Sequence, residues 1–161
     1  MKKFSFDPIR NDDSKILILG TMPGEKSLSS NQYYAHRGNQ FWKIIFSLFA
    51  EDHVEDYDKR KSILIKNKIA LWDVCMHCER EGSSDDKILN EVPNDFENFL
   101  KENNDIKTIF FNGNNAHALF VKHVVLSKTV ELKILPSTSP ANTWKSFEEK
   151  KKEWSIILEQ L

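Results

Sequence analysis

Cysteine is scarce in this chain, with only Cys75 and Cys78 among 161 residues. Two cysteines cannot build a disulfide framework, and they fall two ligands short of an all-cysteine zinc or iron–sulfur site. Glycine and proline are also sparse, five of each, which excludes collagen-like and linker-rich architectures. Neither sign of charge dominates: the formal net charge is −1, so bulk electrostatics marks no nucleic-acid binder. Apolar runs such as Ile16-Leu17-Ile18-Leu19 are far too short to span a bilayer. The N-terminus, Met1-Lys2-Lys3-Phe4-Ser5-Phe6-Asp7, lacks the apolar stretch of a secretory signal. What is present is an ordinary globular mix, 40% hydrophobic and 29% charged. A single cytoplasmic domain spanning residues 1–161, with no membrane association, is the expectation.

Short β-rich runs alternate with helical stretches. Lys15 to Gly20 is a continuous apolar run ending in glycine, as a strand covered on both faces would be. Phe41, Ile44, Ile45, Leu48 and Phe49 recur at helical spacing after Asn39. A Lys-rich helix is expected over Asp58 to Asn67, and strands over Ile69 to Val74 and Ile106 to Phe111. Helices should contain Phe96, Phe99 and Leu100, and then Ala116, Leu119 and Phe120. Val130 to Leu135 alternates like a half-exposed edge strand. A last helix is expected to start near Asn142 or Thr143 and to bury Phe147, Trp154, Ile157, Leu158 and Leu161. Lys150-Lys151-Lys152 reads as its solvated face. Four strands separated by helices predict a three-layer α/β/α domain around a four-stranded, mainly parallel sheet.

In such a sheet ligands bind at the carboxyl ends of the strands. Four segments should therefore converge: Gly20 to Asn39, Asp73 to Asp86, Asn112 to Asn115, and Pro136 to Asn142. In the first, Gly20-Thr21-Met22-Pro23-Gly24 makes a rigid turn, either ending a strand or presenting backbone N–H groups to a ligand. It is neither a Walker loop nor a dinucleotide fingerprint. Further along, Tyr33 or Tyr34 could stack on a base or lid the core, and Asn39 could serve a ligand or cap the next helix. Ser137-Thr138-Ser139, between two prolines, suits either phosphate contacts or a solvated turn. Cys75-Met76-His77-Cys78 reads as reduced structural cysteines, since no second pair completes a metal site.

Taken in order, these segments resemble the uracil-DNA glycosylase superfamily, and within it the hypoxanthine-DNA (deoxyinosine) glycosylase branch. The motifs are Gly20-Thr21-Met22-Pro23-Gly24, then Gln32-Tyr33-Tyr34-Ala35-His36 with Asn39-Gln40-Phe41-Trp42, and Leu135-Pro136-Ser137-Thr138-Ser139-Pro140-Ala141-Asn142. Leu71-Trp72-Asp73-Val74 and Cys78-Glu79-Arg80-Glu81-Gly82-Ser83 belong to the same likeness. Two departures from uracil-directed relatives are informative. Met22 stands where they carry a water-positioning Asp or Asn, and a thioether orients water poorly. Leu135 stands where many carry His or Asn. The deoxyinosine branch shares both losses, and there the asparagine before Phe-Trp, here Asn39, is catalytic.

The resemblance implies hydrolysis of the N-glycosidic bond of a flipped, deaminated base in DNA, most directly hypoxanthine, leaving an abasic site. It implies Asn39 as the catalytic residue, with Tyr34, Met22, Asp73, Gly20 and His36 around the base. Ser137, Thr138, Ser139 and Asn142 would contact the DNA backbone. No metal or organic cofactor is implied. The partner is DNA carrying deaminated bases, and a monomer is expected. Lys26, Arg37, Arg80 and Lys145 would form a modest basic patch, with binding that weakens steeply in salt. The rival readings are a uracil or mismatch-thymine glycosylase, a catalytically silent lesion-binding domain, and a nucleoside hydrolase.

Overall fold

Odd and even residues of the central strands part company, and that alternation builds the fold. A computed structural model describes residues 2–161. In chain order the elements are β1 (Lys2–Phe4), β2 (Ile16–Gly20), α1 (Glu25–Ser30), α2 (Phe41–Leu48), α3 (Tyr57–Lys66) and β3 (Ile69–Asp73). Then come β4 (Cys75–Glu79), β5 (Leu89–Pro93), α4 (Phe96–Glu102), β6 (Thr108–Asn112), α5 (Asn114–His123), β7 (Glu131–Leu135) and α6 (Phe147–Trp154). Short 3-10 turns occupy Asp85–Lys87 and Ser155–Gln160.

The main sheet has the order β3-β2-β6-β7, and all three pairings are parallel. On β2, Ile16 and Ile18 face a core with Phe41, Ile44 and Ile45 of α2, Ile63 and Leu64 of α3, and Trp154 of α6. Leu17 and Leu19 face the opposite core, with Phe96, Phe99 and Leu100 of α4 and Ala116 and Phe120 of α5. Both faces of the strand are therefore dry, which is why it reads as unbroken apolar sequence. The expected three-layer α/β/α domain on a four-stranded parallel sheet is the one observed. The connection from β2 runs to β3 on one side, and the chain then crosses to β6 on the other. This reversal places a crevice at the carboxyl ends of β2 and β6.

Several local expectations are corrected. Cys75–Glu79, expected in a loop, is strand β4, which pairs with β1 and β5 in a second, antiparallel three-stranded sheet. Register shifts between Cys75 and His77 and between His77 and Glu79 break the strict alternation that would have revealed it. The last helix begins at Phe147, not near Asn142. Ser146 accepts from the Glu149 amide while the Glu149 carboxylate accepts from the Ser146 amide, a full capping box. Leu158 is 39% exposed instead of buried. Lys150 is not on a solvated face: it is 2% exposed and lies three residues after Phe147 and four before Trp154, on their side of the helix. Among the described residues no helix is long and apolar enough to cross a membrane.

Candidate active site

The four segments do converge, around a cavity of about 730 Å³ at the carboxyl edge of the main sheet. Its floor is made where β2 and β3 end side by side, Gly20 opposite Asp73. Asp73 is 3% exposed, and its Oδ2 has no hydrogen-bond partner. Burial, with the Asp85 carboxylate nearby, pushes its pKa up to about 7, against which the Arg80 guanidinium pulls downward. Beside it, the Tyr34 hydroxyl is also buried without a partner. Burial and the Asp73 charge raise that phenol well above its ordinary range, against which the nearby Asn112 side chain pulls downward. Glycine at position 20 is required by this crowding: a Cβ there would lie 2.6 Å from Asp73 Oδ1 and 2.8 Å from Tyr34 Oη.

Tyr34 is held by its neighbours. Its backbone has φ 54°, an uncommon conformation for a bulky residue. On one side the Tyr33 amide donates to Tyr57 Oη, the Tyr33 carbonyl accepts from Trp42 Nε1, and the Tyr33 hydroxyl donates to the Asp7 carbonyl. On the other, the Ala35 amide donates to Ser27 Oγ. Phe41 stacks on one face of the Tyr34 ring at 4.3 Å and 26°. Asn39 also lines the cavity. Its Oδ1 accepts from the Phe41 amide at 3.0 Å, an Asx turn that leads into α2, whose N-cap is Gln40 and not Asn39. A carboxamide oxygen has two lone pairs, which leaves one for a further donor.

Met22 is 6% exposed and packs with Cys75 and Cys78. Burial, first of all, pushes the Cys75 thiol up to about 12, so it stays protonated. Among the described residues no group of three or more His, Cys, Asp or Glu is arranged to hold a metal. His36 is exposed at the rim, and its Nδ1 accepts from the Gly38 amide.

The wall from Ser137 to Asn142 is internally bonded. Asn112, the last residue of β6, clasps Thr138 by two bonds of 2.9 Å, Nδ2 to Oγ1 and the Thr138 amide to Oδ1. The Thr138 carbonyl accepts from the Gln40 amide. Thr138 is fully buried, so the expected backbone contact cannot come from its side chain; it is a clamp between strand ends. Asn142 Nδ2 donates to the Ser137 carbonyl, and its Oδ1 accepts from the Trp144 amide. The Lys150 ammonium donates to Gln40 Oε1 and to the Asn142 carbonyl, tying the wall to the segment that carries Asn39. Ser137 and Ser139 stay partly exposed and line the cavity.

Arg80 does not belong to the expected basic patch. It is 2% exposed and donates to the Pro23 and Gly82 carbonyls, locking the first turn against the segment after β4. Lys145 is paired with Glu153. Lys26 lines the cavity and Arg37 is exposed close by in sequence. Sequence reasoning misses Asp85, whose Oδ1 accepts from Thr21 Oγ1 at 2.7 Å. It also misses Asn112 and Lys150. The spacing of Lys150 from Phe147 and Trp154 is the available signal for one of them.

A parallel sheet with a cavity at its topological switch, floored by unpartnered polar atoms and walled by aromatic rings, is the setting in which the likeness to known proteins falls. The chain belongs to the uracil DNA glycosylase superfamily, whose family model matches residues 8–161. It is 37% identical over 156 residues to the hypoxanthine DNA glycosylase of Methanosarcina barkeri (strain Fusaro / DSM 804), covering 96% of this chain and 97% of the relative. It is 35% identical over 159 residues to the hypoxanthine DNA glycosylase of Methanosarcina acetivorans, covering 98% of each. The solution NMR structure of a candidate uracil DNA glycosylase from Methanosarcina acetivorans superposes with a TM-score of 0.80 at 33% identity, over 98% of this chain and 96% of that one.

Proposed function

We propose that the protein is a DNA glycosylase that removes a deaminated base, hypoxanthine foremost, by hydrolysing its N-glycosidic bond. The observation that carries this reading is the pair of buried, unpartnered polar atoms at the cavity floor, Asp73 Oδ2 and Tyr34 Oη. Buried polar groups are normally hydrogen-bonded, so two adjacent exceptions in one cavity await a ligand's polar edge. Hypoxanthine offers a lactam edge that matches them: its N1–H donates to Asp73 and its O6 accepts from the tyrosine hydroxyl. Adenine reverses both roles, and its N1 lone pair would face the Asp73 oxygen. The curated relatives supply the same base by name.

The chemistry follows from the remaining residues. The base leaves the stack and enters the cavity, where Phe41, stacked on the Tyr34 ring, holds the tyrosine hydroxyl toward the base edge. Asn39 uses the free lone pair of Oδ1 to hold a water, while the Phe41 amide keeps that oxygen aimed. The bond from C1′ to N9 breaks, its electron pair leaves with the base, and the water oxygen bonds to C1′. The departing nitrogen takes up a proton as the water loses one. Asn39 is no general base near neutral pH, so its contribution is placement of the nucleophile beside a cation-like sugar. Asp73 and Asp85 add negative potential that favours positive charge on that sugar. Ser137 and Ser139, with Lys26 at the rim, receive the phosphates.

The test is alkaline cleavage of labelled oligonucleotides carrying one hypoxanthine, uracil, xanthine or mismatched thymine. Breakage at hypoxanthine, reduced at least roughly 10²-fold in Asn39→Ala, is the expected result. Cleavage confined to uracil would make the enzyme a uracil glycosylase despite Met22. Binding without cleavage of any substrate would make it a lesion-binding domain.

A further inference from the structure

The two edges of the main sheet are finished differently. At the β3 edge the Ile9 segment covers the outermost strand: the Ile9 amide donates to the Leu71 carbonyl, and the Leu71 amide donates to the Ile9 carbonyl. Beyond β7, among the described residues, no strand follows. The Glu131 amide donates to the Lys107 carbonyl and the Leu135 carbonyl accepts from the Gly113 amide, so the odd-numbered residues turn their backbone groups toward β6. Strand alternation turns those of Leu132 and Ile134 outward. An open edge of this kind is a template for another strand.

Apolar side chains border that edge. Leu132 is 38% exposed and Ile134 46%. Leu135 belongs to the core under α2 and α6, and Val130 packs with the core under α4 and α5, so the two-residue period puts Leu132 and Ile134 on the α5 side. There α5 packs against β7 and leaves Val121 exposed, with Val125 exposed just past its end. Charge selects what this edge fits. Charged residues on an edge strand ordinarily keep copies of a chain apart. Here Glu131 and Lys133 have opposite signs, stand two residues apart on one face, and pair with each other at 3.1 Å. In an antiparallel pair of two β7 strands centred on Leu132, Glu131 falls opposite the partner's Lys133, and Lys133 opposite the partner's Glu131. Leu132 then exchanges both backbone bonds with the partner's Leu132, and Ile134 pairs with the partner's Val130, all through outward-facing groups. Moving the centre to Glu131 or to Lys133 would set like charges face to face.

We propose that two copies of this chain associate through β7, antiparallel and centred on Leu132, joining their main sheets into one continuous sheet. This replaces the monomer expected from the sequence with a two-fold dimer. The axis runs through the seam perpendicular to the sheet, so both α5 helices lie on one side of it, where Leu132, Ile134 and Val121 of the two copies meet. The carboxyl edges of the two sheets point in opposite directions, so the two cavities open at opposite ends of the pair. A seam of one short strand is a small interface, and association in the micromolar range is expected.

The test is analytical sedimentation of the full chain over a concentration series, with thermal melting to show that each variant is folded. Wild type should pass from one chain to two as its concentration rises through the micromolar range. A wild type that stays a single chain up to about 1 mM overturns the proposal. Glu131→Lys alone and Lys133→Glu alone set like charges opposite each other, and each should weaken association at least roughly 10-fold. The double exchange, Glu131→Lys with Lys133→Glu, restores opposite signs across the seam and should restore association. Mixing the two single variants should do the same, because each then meets a partner of opposite sign. A change confined within one chain would not produce that recovery. Single reversals that associate as wild type does, or a mixture no better than its components, would overturn the pairing. The readout is mass and not base excision, so the outcome stands apart from the reading of the cavity.

Discussion

The floor and the wall of the cavity are built on opposite plans. At the floor, the ends of β2 and β3 leave Asp73 Oδ2 and Tyr34 Oη buried without partners. In the wall, Thr138, Asn142 and Lys150 are committed to other protein groups, Thr138 with no exposed surface at all. Unpartnered polar atoms cost stability unless a ligand completes them, whereas completed ones hold their surroundings still. The contrast therefore separates groups that meet the substrate from groups that position them. Asn39 sits between the two classes, with one lone pair given to the helix and one free.

The heaviest loss should come from breaking the link between them. Asn39→Ala should lower hypoxanthine excision by at least roughly 10²-fold. It should also cost about 1 kcal/mol of stability through the lost turn bond to the Phe41 amide, read as a lower denaturation midpoint. Asn39→Asp keeps the oxygen that accepts from the Phe41 amide and should recover the stability, which isolates the catalytic part. Next comes Gly20→Ala. The added methyl group meets Asp73 at 2.6 Å and Tyr34 at 2.8 Å. Displacing either by about 1 Å should reduce excision on the order of 10²-fold. If excision by the alanine variant is undiminished, the floor is not where the base is read.

A smaller and more diagnostic effect concerns pH. Asp73 has an ordinary carboxylate pKa of 3.8 when exposed and about 7 in the folded protein. Between those values the folded state holds a proton that the unfolded state has lost, so this group's stabilising contribution declines as pH rises from about 4 to about 7. Asp73→Asn removes the titration. The stability of the variant relative to wild type should rise between pH 4 and pH 8, by on the order of 4 kcal/mol. Its excision should fall about tenfold, because the amide keeps an acceptor but loses the charge. A variant equally stable at both pH values relative to wild type would show that Asp73 is not a strained group. The mildest change belongs to the wall. Lys150→Met leaves the Gln40 and Asn142 acceptors without their ammonium, a loss of about 1–3 kcal/mol offset by relief of lysine burial. Excision should drop several-fold while melting changes little, and a rise in excision would count against a positioning role.

Much of this molecule is legible along the chain. Unbroken apolar runs at Ile16–Leu19 and Ile69–Leu71 mark doubly covered strands because both sheet faces carry helices. The likeness of the loops to known motifs brings Asn39, Tyr34 and Asp73 into consideration together. What the chain does not disclose has identifiable causes. The second sheet is hidden because bulges on β4 scramble the two-residue period around Met76 and His77. Ser146 and Glu149 spell a capping box at the start of α6, but Asn142 and Thr143 are also good caps by residue type and compete with it. Arg80 and Lys150 read as surface charges because residue type alone places them in water.

Sequence alone dictates the class of fold, the chain order of its strands and helices, and the segments that end at one edge of the sheet. Those properties follow from periodicity and residue type, which are local. Tertiary structure is needed to settle which polar groups at that edge are satisfied and which are left open. Asp73 and Thr138 are both polar and both buried, and nothing along the chain distinguishes them. The distinction comes from partners far away in sequence: Asn112 completes Thr138, while Asp73 meets only the crowded space above Gly20 and the charges of Asp85 and Arg80. Hydrogen-bond completion is a relation between distant residues in three dimensions, so it exists only once the chain has folded.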